Sequence, residues 1–321
     1  MKILSLFALA LAAFAAPAAH AQPAAEFPTA TVRLFVPFAA GGPTDVVARI
    51  LAEQLSARWG GKPVVIENRP GAGTIIATAA VAKAPADGHT MLMATNSLLI
   101  NPAISQSLPY DTARDFQPVS MVATQPVALV ATKSFAPNNV AELVAEAKKT
   151  PLNYTSPGPR GVGHLAGEML KQRAGVEMTH INYNGSAPAL TDVIAGRVPL
   201  MFDIWHSSRR HVESGALKLI ASASAERLPG APNVPTMTET YPGFEVMAFN
   251  ALVAPAGVPA AVLDKLSADI RAVVNSEAFR ERVKNLGINA YGNTPAELDA
   301  WMAREIARWQ QVAKAANLKA D

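Results

Sequence analysis

The 321-residue chain contains no cysteine, so neither a disulfide framework nor a lipid-anchor cysteine is available to it. Charged residues make up 17% and aromatic residues 6%, and neither sign of charge gathers into runs. A net charge of +3 spread along the chain, without alternating basic and aromatic residues, gives no sign of nucleic-acid binding. The mild positive excess suits anionic solutes, and only weakly. Past the N-terminal segment no apolar run is long enough to cross a bilayer. There is no G-x-S-x-G elbow, no H-E-x-x-H pair and no P-loop lysine motif. His206 and His211 do not share a helix face, and no carboxylate stands at metal-ligand spacing. Catalysis and metal binding lack a warrant, and no cofactor is expected.

The N-terminus does carry a signal. Met1-Lys2 is a short positive start, residues 3–16 are apolar, and Ala19-His20-Ala21 offers a small-x-small cleavage site. Residues 1–21 read as a secretory signal peptide, removed before folding. Export to the periplasm of a Gram-negative bacterium fits best. The mature length is enough for a large core and normally divides into two domains.

One stretch organises the rest. Residues 33–49 read as an apolar strand, a turn at Gly41-Gly42, and a helix opening at Pro43-Thr44-Asp45. Val47, Leu51, Leu55 and Trp59 recur every four residues, so one helix face is expected to be buried. Glycines let first-turn N–H groups approach a ligand, and those groups sit at the positive end of the helix dipole. An anion cradle without a charged side chain follows, although the same residues would also make a tight turn.

The strand-loop-helix unit then recurs, which implies parallel strands with crossover helices. Val64-Val65-Ile66-Glu67 leads to Gly71-Ala72-Gly73-Thr74, and residues 91–94 lead to Thr95-Asn96-Ser97. The spacing Gly71-x-Gly73-x-x-Ala77 fits a dinucleotide fingerprint. Against it stand the polar, proline-containing link from the strand, Asn96 where an acidic residue should meet a ribose, and export itself. Residues 119–123 and 127–132 read as two strands. A second series follows: residues 153–155 into the loop Ser156–His164, residues 179–182 into Tyr183, Gly185, Ser186 and Ala187, and residues 200–203 into Ile204-Trp205-His206. Ligands of open α/β sheets bind at this carboxyl edge, and two such edges suggest a cleft between them. Ser186 reads as a helix cap and Asp203 as a cap or polar contact. Arg160, in a stiff Gly/Pro loop, suits a carboxylate, and a solvated loop charge explains it equally. Tyr183 and Trp205 could wall a ligand or belong to the core. Thr294 and Glu297 form a capping box that opens a final helix with Leu298, Trp301, Met302, Ile306 and Trp309 along one stripe.

Several segments together resemble one family. They are residues 36–45 (Val-Pro-Phe-Ala-Ala-Gly-Gly-Pro-Thr-Asp), residues 65–73 (Val-Ile-Glu-Asn-Arg-Pro-Gly-Ala-Gly), Asp87-Gly88, Asn101-Pro102 and Leu108-Pro109-Tyr110-Asp111. Asp115-Phe116, residues 164–168, residues 183–189, Asp192, Phe202-Asp203 and the Trp309 segment complete the set. In this order they resemble the tripartite tricarboxylate transporter receptors, the Bug-type extracytoplasmic solute receptors. The resemblance implies an α/β, type II periplasmic binding protein with two domains around a central cleft. It would be a monomer that passes a small organic carboxylate to an inner-membrane permease. Domain 1 is expected from residues 28–123 with 247–321 and domain 2 from 124–246, closing about Thr124 and Val246. Carried over, the ligand-binding residues are Phe38, Ala40, Gly41, Gly42, Thr44, Gly71, Ala72, Gly73, Thr74 and Ser97 in domain 1. In domain 2 they are Ser156, Gly158, Arg160, Gly163, His164, Tyr183, Gly185, Ser186, Ala187, Asp203 and Trp205. Thr74 replaces a glycine usual in the family, and the 156–162 and 204–206 loops also depart from its pattern. These departures predict an altered ligand, such as a larger or aromatic carboxylate. A periplasmic enzyme using Asp203 with a histidine, and an orphan receptor that signals to a sensor, stay open alternatives.

Overall fold

The computed structural model describes residues 26–315 apart from Gln106, Arg160, Asn184 and Pro229. The expected signal peptide and the Arg160 contact lie outside the described residues.

The first set of strands is β1 (Val32–Val36), β2 (Val64–Asn68) and β3 (Thr90–Ala94), joined by helices α1 (Pro43–Arg58) and α2 (Ile75–Ala82). After β3 come α3 (Asn96–Ile104) and the long strand β4 (Phe116–Thr132), then α4 (Val140–Ala147). The second set is β5 (Leu152–Thr155), β6 (Met178–Ile181) and β7 (Leu200–Ile204), joined by α5 (Val162–Ala174) and α6 (Ser186–Ile194). It is followed by α7 (Trp205–Glu213), β8 (Leu217–Ser222) and α8 (Met237–Thr240). The chain then returns through β9 (Met247–Pro255), α9 (Ala260–Val274), α10 (Glu277–Lys284), β10 (Asn289–Ala290) and α11 (Pro295–Ala315).

The sheet order explains the architecture. In β2-β1-β3-β9-β4 the first three strands are parallel and β9 runs against them. In β6-β5-β7-β4-β8 the same pattern returns, with β4 in the place of β9. Each half therefore takes its fourth strand from a segment that also pairs in, or leads from, the other half. The switch falls at a proline: β4 pairs β9 as far as Pro126 and pairs β7 and β8 from Val127 and Ala128 onward. Proline has no N–H to donate, so it is tolerated where ladder partners change. Two strands, 119–123 and 127–132, are expected here, whereas the backbone runs through both prolines as one strand with register shifts after Pro118 and Met121.

Packing follows the apolar periodicity. Val47, Leu51 and Leu55 of α1 and Trp59 at its C-terminal cap are all buried, and the Trp59 indole donates to Asp269 Oδ2 at 2.8 Å. On α11, Leu298, Met302 and Trp309 are buried, and Trp301 meets Phe249 edge-on. The capping box forms, with Thr294 N–H on Glu297 and Glu297 N–H on the Thr294 hydroxyl. Two segments read as loops, at Asn96-Ser97 and at Trp205-His206, are instead the first turns of α3 and α7.

Candidate functional site

The two carboxyl edges approach one place from opposite sides. β3 ends with Ala94 opposite Ala251 of β9, and Asn96 just beyond it bonds Met247 O and Phe249 N–H. β7 ends with Ile204 opposite Val127. Met247 is itself the partner of Pro126, so both parallel sets point their carboxyl ends at the crossing of β4 and β9. The loops and helix starts beyond those ends share that region.

The first loop is clamped by the side chains of Asp45 and Asn68. Gly41, at φ +83, donates its N–H to Asp45 Oδ2 at 2.8 Å. Asn68 donates to Asp45 Oδ1 at 2.9 Å and to Phe38 O at 3.0 Å, joining the end of β2 to this loop. Burial opposes ionisation of Asp45, but bonds from Arg49, Gly41 and Asn68 outweigh it and hold the carboxyl below its usual range. The loop is thus built around an internal carboxylate that already takes the Gly41 amide, a correction to the expectation of a loop without charge. Thr44 is buried, and its hydroxyl accepts from Asn250 of β9, whose own carbonyl oxygen accepts from Gln125 of β4 at 2.7 Å. The crossing strands are wired to the start of α1. No pattern in the sequence marks this pair, because two amides far apart in the chain meet only when β4 and β9 align.

The second loop stores strain. Gly71, Ala72, Gly73 and Thr74 all have positive φ, at 126°, 47°, 61° and 76°. Within this turn the Thr74 N–H bonds Gly71 O at 3.0 Å and the Ile75 N–H bonds Ala72 O, so the loop closes on itself before α2 begins. Ala72 and Thr74 hold this conformation at a cost of roughly 1–2 kcal/mol each. Thr74 is buried and its hydroxyl oxygen has no hydrogen-bond partner. Thr74→Gly is therefore expected to raise unfolding stability by roughly 1 kcal/mol in urea titration. Unchanged or lower stability would show that the threonine side chain is needed where it stands. Ala40 lies exposed in the first loop and Ser97 is buried in the first turn of α3.

In the second set, three loops are tied together. The Gly185 N–H donates to Pro157 O at 2.6 Å, and Gly158 lies beside the carbonyl of Tyr183. Gly163 sits where a Cβ would come within 2.5 Å of Phe202 O, so only glycine lets α5 begin against β7. Ser156 is fully buried, donating to Gly158 O at 2.9 Å with His180 Nε2 at 2.8 Å. His180 stacks on His164 at 4.1 Å between ring centroids. Burial is the main cause that lowers both imidazoles to about 4, so both are neutral. Ser186 does not cap α6; Gly185 holds that position, and the Ser186 hydroxyl donates to Asp203 Oδ1 at 2.8 Å. Ala187 follows, exposed, in the same turn. Tyr183 bonds Asp192. Trp205 is buried in the core between β4, α6 and β8, beside Gly287, while His206 Nδ1 meets Leu286 O at 2.8 Å across the two halves.

Residues 47–318 match the family model described as "Tripartite tricarboxylate transporter family receptor". The chain belongs to this receptor family. The R. palustris protein Rpa4515, solved with adipate, is 36% identical with a TM-score of 0.85, over 91% of this chain and 99% of that one. The periplasmic binding protein BugD is 35% identical at a TM-score of 0.83, over 91% and 99%. MatC from Rhodopseudomonas palustris, with bound malate, is 33% identical at 0.81, over 89% and 99%. The receptor therefore has the mixed α/β fold of these solute-binding proteins. The family and these neighbours are ligand-binding receptors. Among the described residues, Asp203 bonds Ser186 and the Ile204 backbone, with no hydrogen bond to a histidine.

Proposed function

We propose that this receptor captures a small organic carboxylate in the periplasm and delivers it to an inner-membrane permease. The observation that carries the reading is the convergence of both carboxyl edges, each followed by helix starts, on the crossing of β4 and β9. Carboxylate oxygens take N–H groups from the first turns of α1, α2, α5 and α6, with Thr44, Ser97, Ser156, Ser186 and Asp203 as polar neighbours. Such bonds are charge-assisted and gain strength in a partly desolvated cleft. Phe38 and Ile76, 39% and 51% exposed beside the two glycine loops, offer apolar faces for the carbon chain. Adipate and malate in the neighbours make dicarboxylates the first candidates. Residues 28–123 with 247–321 form one lobe and residues 124–246 the other, and they close as a monomer about Thr124 and Val246. Closure requires that the ligand bind the closed form more tightly than the open one.

A thermal-shift screen of mono-, di-, tri- and aromatic carboxylates tests the reading. A ligand at a hundred times its dissociation constant should stabilise the fold by about 2.7 kcal/mol. A screen without any shift at millimolar carboxylate would sink it.

A further inference from the structure

Asp203 occupies an unusual position. It is the penultimate residue of β7, 1% exposed, next to the start of α7 and bonded to the first residue of α6. Oδ1 is taken by the Ser186 hydroxyl at 2.8 Å, and Oδ2, also buried, has no hydrogen-bond partner. A buried, ionised carboxylate oxygen left without a donor is costly, and the usual remedy is protonation. Because Oδ1 is accepting, the proton belongs on Oδ2. Burial pushes this carboxyl up to about 7, against the bonds from Ser186 and the Ile204 backbone, which favour the ion. Neighbouring elements bring His164 and Glu168 (α5), His180 (β6), Asp192 (α6), and His206 and Arg209 (α7), with Tyr154 on β5; β4 brings no charge. None of these acts on the Asp203 carboxyl.

We propose that Asp203 recognises the bound anion as a carboxylic acid, its Oδ2–H donating to a carboxylate oxygen of the ligand, so that binding takes up a proton. This rests on the carboxylate-receptor reading above. The balance is simple: ionised Asp203, one solvent proton and the ligand anion become neutral Asp203 hydrogen-bonded to the anion, and no covalent bond of the ligand changes. The ligand's own charge disfavours the ionised aspartate further and completes the uptake. The selection is for an anion without an amino group at this point. An ammonium ligand would instead favour ionised Asp203 and release protons.

The test is isothermal calorimetry with succinate, adipate, suberate and malate at pH 8, in phosphate and in Tris. At this pH His164 and His180, which burial lowers to about 4, are neutral and do not contribute. The difference between the buffers, divided by the difference in their ionisation enthalpies, should show between half a proton and one proton absorbed per ligand bound. The dissociation constant should rise by up to tenfold between pH 7.5 and 8.5. Asp203→Asn keeps an N–H donor but cannot titrate, so whatever binding it retains should show neither proton uptake nor pH dependence. Thermal unfolding establishes that the variant is folded. Binding by the parent protein with no uptake, or with proton release, overturns the inference and leaves the receptor reading intact. Uptake that persists in the variant overturns it too. No binding by any of the four, together with a silent carboxylate screen, overturns both.

Discussion

Acidification from pH 7 to pH 4.5 is expected to lower the stability of this receptor by roughly 2 kcal/mol net, through the stacked pair His164 and His180. Both imidazoles are lowered to about 4, mainly by burial, while in the unfolded chain they titrate at their ordinary value of 6.5. The unfolded state therefore binds more protons between those values. The stabilisation is present above pH 6.5 and is lost as pH falls toward 4. Over this interval the two rings together forfeit roughly 5 kcal/mol. Asp203 acts in the opposite direction: its folded value, about 7 against an ordinary 3.8, returns stability as pH falls. That return is roughly 3 kcal/mol over the same interval, so the rings win. Urea midpoints measured across this range check the sum. In the double variant His164→Gln/His180→Gln the sign should reverse, because Asp203 then acts without opposition from the rings. Flat or rising stability of the parent protein on acidification would refute the assignment.

A second large effect is expected from one methyl group. Gly167→Ala, inside α5, places a Cβ 2.0 Å from Cε2 and 2.2 Å from Cζ of Tyr154. That ring is fully buried and its hydroxyl donates to Glu168 Oε1 at 2.8 Å, which leaves it little freedom to move aside. Alanine improves helix propensity by about 1 kcal/mol, whereas overpacking costs roughly 1–3 kcal/mol or more. The steric term dominates, and the variant should lose roughly 2 kcal/mol in urea unfolding. Tyr154→Leu in the same background should recover part of that loss, since the two residues are in contact and their effects do not add. A Gly167→Ala protein as stable as its parent would mean that α5 can lift from β5 without penalty. The displacement would also reach the site, because Gly163 at the head of the same helix fits against Phe202 O with no room for a side chain.

Much of the architecture is legible in the residues themselves. Hydrophobic periodicity predicts the buried face of α1 at Val47, Leu51, Leu55 and Trp59, since burial of one face has to repeat with the helical turn. Glycine and proline predict the turns that deliver residues 38–44, 71–74, 156–163 and 183–187 to helix starts, because their backbone preferences are local. Local signals also mislead. The two prolines of β4 suggest a break, yet its long-range pairing carries the strand through them.

What the chain alone determined was the series of strand-loop-helix units and the small, polar residues at their turns, since these depend on neighbours a few positions apart. The tertiary structure decided which units face one another: β4 and β9 change partners near Pro126 and Met247 and bring the two carboxyl edges together. It also decided the state of particular groups. Gln125 meets Asn250, His164 stacks on His180, and Asp203 is left with an unpartnered oxygen. Each of these depends on desolvation and on contacts between residues remote in the chain, and no local pattern encodes either.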